Sequence, residues 1–139
     1  ARSAFEAALA YAKERKTFGK AIIEHQAVGF RLADMATEIE AARQMVRHAA
    51  ALRDAGRPCL VAASMAKLFG GNVCTEVTQQ AVQFLGGHGL TKDHPVERYY
   101  RETKLFQIGD GSSEMLSLLI SRHMNRQAQG GMSARLASD

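Results

Sequence analysis

The sequence predicts an all-α fold, an up-down four-helix bundle with one extra short helix, on three observations. Apolar residues recur in alternating steps of four and three at Val28, Leu32, Met35, Ile39, Ala42, Val46 and Ala49, the seam of a long helix in an antiparallel bundle. Gly19, Gly56 with Pro58, the Gly86–Gly87 doublet, Pro95 and Gly109 with Gly111 punctuate the chain into helical runs. No segment alternates apolar and polar residues over the length of a strand, so nothing reads as a strand.

The first helix runs from the start to about Lys16 on Ala4, Phe5, Ala8, Leu9 and Ala12, with Lys13, Arg15 and Lys16 at its carbonyl end and Gly19 just beyond. Ser3 is its one candidate cap. A helix already running at the first residue leads us to expect a segment of a longer protein. The second spans about Glu24 to Asp54, roughly 45 Å at 1.5 Å per residue, which suits a bundle. Pro58 opens the third near its first position. Met65, Leu68, Phe69, Val73, Val77, Ala81 and Phe84 carry that helix to about Leu85, where the glycine doublet stops it. A loop at Gly89 to Asp93 precedes a short helix from Pro95 to about Lys104, and a last helix begins at Ser112 or Ser113 and carries Met115, Leu116, Leu119, Ile120 and Met124. Residues 1–127 form the expected domain, and 128–139, lacking an apolar period, a flexible tail.

With 139 residues, 46% of them hydrophobic, the chain fits one domain with a real core. A net charge of +4 is spread over lysines and arginines scattered singly among acids, and aromatics are only 6%. That pattern argues against a nucleic-acid surface. No apolar run approaches the roughly 18–20 residues of a membrane span, and no signal peptide is present, so a secreted protein is not expected. Cys59 and Cys74 have neither ligand spacing nor a scaffold pattern, so they read as small core residues in a reducing compartment, with no metal site.

Three segments are chemically rich for connectors: ERKTFG at Glu14–Gly19, QFLGGHG at Gln83–Gly89 and QIGDGSSE at Gln107–Glu114. Taken singly, each also reads as ordinary punctuation, a basic helix end, a glycine stop, and a D-G turn with a serine cap. Taken together with YAKERKTFGKAIIEHQAV (Tyr11–Val28), LADMATEIEAAR (Leu32–Arg43), VAASMAK (Val61–Lys67) and PVERYYRETKLFQI (Pro95–Ile108), they make nearly the whole chain resemble the C-terminal domain of the acyl-CoA dehydrogenases, medium-chain-type enzymes especially.

The resemblance implies the last third of an FAD enzyme whose N-terminal helical and middle β domains are outside this sequence. It implies that Arg15 and Thr17 contact the FAD pyrophosphate of a neighbouring subunit, that Phe18 packs beside the cofactor, and that Gln26 hydrogen-bonds it. A guanidinium suits phosphate because its fork of donors meets two oxygens at once. His25 and His88 read as structural neighbours. Gln83 and Gly87 fall where the family meets the adenosine end of FAD, glycine permitting close backbone approach. Ser112 and Glu114 match positions near FAD and Gly111 one beside substrate. The implied partners are an acyl-CoA, an electron-transferring flavoprotein and further copies of the chain in a dimer or tetramer. The implied place is the cytoplasm of a bacterium or the matrix of a mitochondrion.

The third motif departs from the family's Y-E-G-T-S: Gly109 stands for the tyrosine and Asp110 for the glutamate that takes the α-proton. A carboxylate one methylene shorter retracts by roughly 1.5 Å, and a misplacement of about 1 Å can cost about a hundredfold in rate. Some members carry the base on a helix that would precede Ala1, and nitroalkane oxidase, in the same superfamily, uses an aspartate. The resemblance therefore leaves open a flavin oxidase or monooxygenase, and a non-catalytic oligomerisation module, beside the dehydrogenase.

Overall fold

The computed structural model describes the backbone of residues 1–136 and the side-chain surroundings of residues 1–127. Five helices make the frame: α1 Arg2–Glu14, α2 Gln26–Asp54, α3 Leu60–Leu85, α4 Val96–Ile108 and α5 Ser113–Leu136. The all-α class predicted from the seam is what the chain adopts, with α3 at the centre and α1, α2, α4 and α5 each packed against it.

Ala4, Ala8 and Ala12, all fully buried, put a line of methyls four residues apart along α1, which brings its backbone close to the core. Leu32 and Met35 of α2, Val73, Val77, Ala81 and Leu85 of α3, and Val96 of α4 complete that core. The buried hydroxyls are each satisfied within their own helix: Ser64 Oγ donates to the Leu60 carbonyl (2.8 Å), Thr78 Oγ1 to that of Cys74 (2.8 Å) and Thr103 Oγ1 to that of Tyr100 (2.8 Å). At Gly71, a Cβ would stand 3.4 Å from the Phe106 carbonyl oxygen, so glycine here sets how closely the end of α4 lies on α3.

Several expectations need correcting. A two-stranded antiparallel hairpin, β1 Lys16–Thr17 and β2 Lys20–Ala21, follows α1 where no strand was read; two-residue strands are too short to show alternation. The helix α1 stops at Glu14 because Arg15 turns to extended geometry, and Ser3 lies inside it rather than capping it. Cys59, not Pro58, is the residue before α3. Gly86–Leu90 form a 3-10 turn, so the connection the sequence predicts to be loop from Gly89 is in part a short helical turn. The helix α4 continues past Lys104 to Ile108, and Pro95 precedes it. Val46 is 56% exposed, so the α2 seam lacks cover there. Cys59 and Cys74 are free and half-buried. The helical backbone of α5 passes residue 127, where the expected tail begins; the side chains of 128–139 and the backbone of 137–139 lie outside the described residues.

Gly89 is buried, and a Cβ on it would meet the Val82 carbonyl oxygen at 2.6 Å and Leu85 Cβ at 3.1 Å. Forcing atoms into such a contact costs about 1–3 kcal/mol. Gly89→Ala is therefore expected to lower the Tm in thermal unfolding, and an unchanged Tm would mean that the turn yields freely.

Candidate functional site

The first motif becomes the hairpin. Phe18 and Gly19, with φ of +52° and +81°, form its two-residue turn, and positive φ at both places is what a tight hairpin twist needs. Phenylalanine is an unusual residue there. It is left 97% exposed at the tip, its ring edge-on to His25 with centroids 6.1 Å apart.

His25 secures the hairpin to the start of α2. Its Nε2 lies 3.0 Å from Thr17 Oγ1 and 3.2 Å from the Thr17 carbonyl oxygen. A carbonyl only accepts, so Nε2 carries the proton and donates to both oxygens. The Thr17 hydroxyl proton is thereby left to point at something else. The Ala21 N–H donates to Glu24 Oε1 (3.0 Å) and the Ile22 N–H to the Arg15 carbonyl (2.8 Å), closing the turn on both sides.

Two adjoining grooves bring the first and second motifs together. One, of 580 Å³, is lined by Tyr11, Arg15, Thr17, Gly86, Gly87 and His88. The other, of 340 Å³, is lined by Thr17, His25, Arg31, Gln83 and Phe84. Thr17, Ile22 and Phe84 line both, which makes them parts of one surface. Among the described residues Arg15 has no carboxylate within 4.0 Å. A Cβ at Gly87 would meet nothing within 4 Å, so internal packing does not require glycine there. Gln26, exposed, opens α2.

The third motif lies elsewhere, on the turn between α4 and α5. Asp110, exposed, has φ +54° and is followed by Gly111 at +100°. The Gly109 N–H bonds the Leu105 carbonyl at 2.7 Å, winding the turn tightly onto the end of α4. Ser112 Oγ accepts from the Met115 N–H (3.4 Å) and so caps α5. Gly111 lines a separate groove of 460 Å³ with Leu60, Met115, Leu119 and Arg122. Arg31 and Lys67 were not singled out by the sequence. Nothing in the local sequence marks the contacts of Lys67, which reach 42 and 44 positions ahead.

Among the described residues, a guanidinium without a carboxylate partner and a hydroxyl that keeps its proton to donate, beside a glycine that packing does not demand, suit an anionic ligand. A family model described as the acyl-CoA dehydrogenase C-terminal domain matches residues 1–125. The chain belongs to that family. It is 48% identical over 121 residues to the short-chain-specific acyl-CoA dehydrogenase of Clostridium acetobutylicum, covering 87% of this chain and 32% of that protein. It is 45% identical over 121 residues to the caffeyl-CoA reductase-Etf complex subunit CarC of Acetobacterium woodii, with the same shares covered. Among solved structures, butyryl-CoA dehydrogenase from Megasphaera elsdenii matches at 37% identity with a TM-score of 0.87, over 88% of this chain and 32% of that one. The chain thus spans about a third of the length of these relatives, two of them dehydrogenases and one a reductase subunit, names that do not favour the oxidase or the non-catalytic module.

Glu114, in the first turn of α5, has its carboxyl held below the ordinary value by its own backbone N–H and then by the Ser112 hydroxyl. A lowered folded value means that the ionised form supports the helix start above the ordinary carboxylate range, and that this support is lost as pH falls through the folded value. Ser112→Ala is expected to move the Glu114 titration, followed by carboxyl NMR, up toward the ordinary value. A midpoint that stays put would remove Ser112 from this role.

Proposed function

We propose that this chain supplies the C-terminal helical part of an FAD-dependent acyl-CoA dehydrogenase, an oxidoreductase that desaturates an acyl-CoA thioester between its α and β carbons. The observation that carries the reading is the shared groove, where, among the described residues, Arg15 without a carboxylate partner meets Thr17, whose hydroxyl accepts from His25 and keeps its own proton to donate, and Gly87, which packing does not require. Family membership and the names of the acyl-CoA dehydrogenase relatives support it.

Bound FAD supplies the acceptor for the β-hydride. Asp110 would act as the base that takes the α-proton of the thioester. Gly111 would lie beside the substrate, and Ser112 and Glu114 near the cofactor. Arg15 and Thr17 would donate to the pyrophosphate of a neighbouring subunit's FAD, with Phe18 packing beside it and Gln26 hydrogen-bonding it. Gln83 and Gly87 would hold its adenosine end. The physical separation of the two groups of residues fits sites completed across subunits of a dimer or tetramer. A phenyl ring exposed at a strained turn fits the same reading, since such surface is costly to leave in water.

Gly109 bears on the shortened base. A Cβ at this position would stand 3.1 Å from the Leu105 carbonyl oxygen and 3.3 Å from Leu105 Cδ1. A tyrosine therefore demands movement of Leu105 or of the turn, and glycine permits a different path that compensates for a shorter acid.

An electron-transferring flavoprotein is the proposed partner, supported by the Acetobacterium relative's name as a subunit of a reductase-Etf complex, and in a desaturation it would be the electron acceptor. No helix among the described residues is long and apolar enough to cross a membrane. The bacterial cytoplasm or the mitochondrial matrix is the proposed location.

In the FAD-loaded full-length enzyme, Asp110→Asn is expected to slow flavin bleaching by acyl-CoA by about 10²–10⁴-fold, the usual contribution of a positioned base. Bleaching at the normal rate would sink the assignment. Arg15→Gln removes a charged donor worth about 1.5–3 kcal/mol, so FAD retention on dilution should weaken by about 10- to 100-fold. Unaltered retention would detach Arg15 from the pyrophosphate.

A further inference from the structure

The turn that carries Asp110 is held from outside its own sequence. Lys67 Nζ donates to the Gly109 carbonyl at 2.7 Å and to the Gly111 carbonyl at 2.7 Å, one acceptor on each side of the aspartate. An aspartate at φ +54° occupies a sparsely populated conformation that persists where its surroundings over-determine it. Two charge-assisted bonds to flanking carbonyls supply such a constraint.

The approach is built into α3. One turn beyond Lys67, the bare backbone at Gly71 lies against Phe106, and Asn72 Oδ1 accepts from Gln107 Nε2 at 3.3 Å, seating the end of α4 on α3. Gly109 is the residue that ends α4, so the ammonium also meets the negative end of that helix. Among the described residues Lys67 has no carboxylate within 4.0 Å, Asp110 included. The cation thus binds the backbone around the acid and does not neutralise the acid itself.

We propose that Lys67 is a positioning residue, which fixes the height and direction of the Asp110 carboxylate by clamping the carbonyls on either side of it. The proposal rests on the desaturation reading for its kinetic consequence, while the clamp stands on geometry alone. A displacement of about 1 Å is enough to cost about 10²-fold. The clamp therefore governs the chemical step more than substrate binding.

The test uses the FAD-loaded full-length enzyme with Lys67→Met, which keeps an apolar stem and removes the donors, and Lys67→Arg, which keeps at least two. With acyl-CoA, Lys67→Met is expected to reduce its flavin about 10- to 100-fold more slowly with KM within about twofold, and to show a larger α-deuterium isotope effect. Lys67→Arg should recover a substantial part of that rate. In hydrogen exchange, amides of residues 109–112 should open about tenfold faster in Lys67→Met while those of α1 are unchanged. Wild-type kinetics in Lys67→Met, arginine no better than methionine, or unaltered exchange at the turn would each overturn the proposal. Loss of FAD or of the folded state in both variants would overturn it too, since Lys67 would then support the bundle at large. A wild-type enzyme inert to acyl-CoA but with faster turn exchange in Lys67→Met would sink the desaturation reading and leave the clamp standing.

Discussion

Everything in this fold is referred to α3, because each of the other four helices packs on it. A helix surrounded in this way has to be buried on several sides without stranding polar groups. Ser64, Gly71, Thr78 and Leu85 lie seven residues apart on one line and are all buried, the spacing of a packed seam. Small side chains let partners come near, and hydroxyls that bond their own carbonyls remain satisfied there. Burial of α3 thus follows from residues that look unremarkable on a hydropathy count.

Local strain is concentrated at the points facing outward. Phe18 and Asp110 are the two non-glycine residues with positive φ among those described, and both stand on exposed turns within motifs marked for chemistry. Each is braced from a neighbouring element, Phe18's hairpin by His25 and Asp110's turn by Lys67. Such conformations cost about 1–3 kcal/mol apiece and persist only where the surroundings over-determine them. The bracing residues are as much part of the arrangement as the residues they hold.

The helices were readable because their periods extend over many turns: the seam from Val28 to Ala49 and the glycine stop at Gly86 both have local causes. The hairpin was not readable, since Lys16–Thr17 and Lys20–Ala21 each offer two residues and alternation needs more. The sequence places the end of α4 at about Lys104, whereas the helix runs four residues further, to Ile108, where the Phe106 backbone lies against Gly71, a contact between segments far apart in the chain. In the candidate site, the residues of ERKTFG, QFLGGHG and QIGDGSSE were marked by composition, and the resemblance assigned the first two to one cofactor, while their meeting in one groove comes from the fold. The Lys67 contacts were hidden, as nothing in a lysine's local sequence announces carbonyls more than forty positions away.

Because Lys67 and Gln83 lie on the same helix, sixteen residues and about 24 Å apart along its axis, α3 works as a ruler between the two groups of candidate residues. Loops can lengthen without changing that distance. A single residue inserted into α3 between them would turn one end by about 100° relative to the other and shift it by about 1.5 Å. Variation in chain length should therefore accumulate at the ends and turns of this domain, while the interval from Lys67 to Gln83 stays constant as substrate preference diverges.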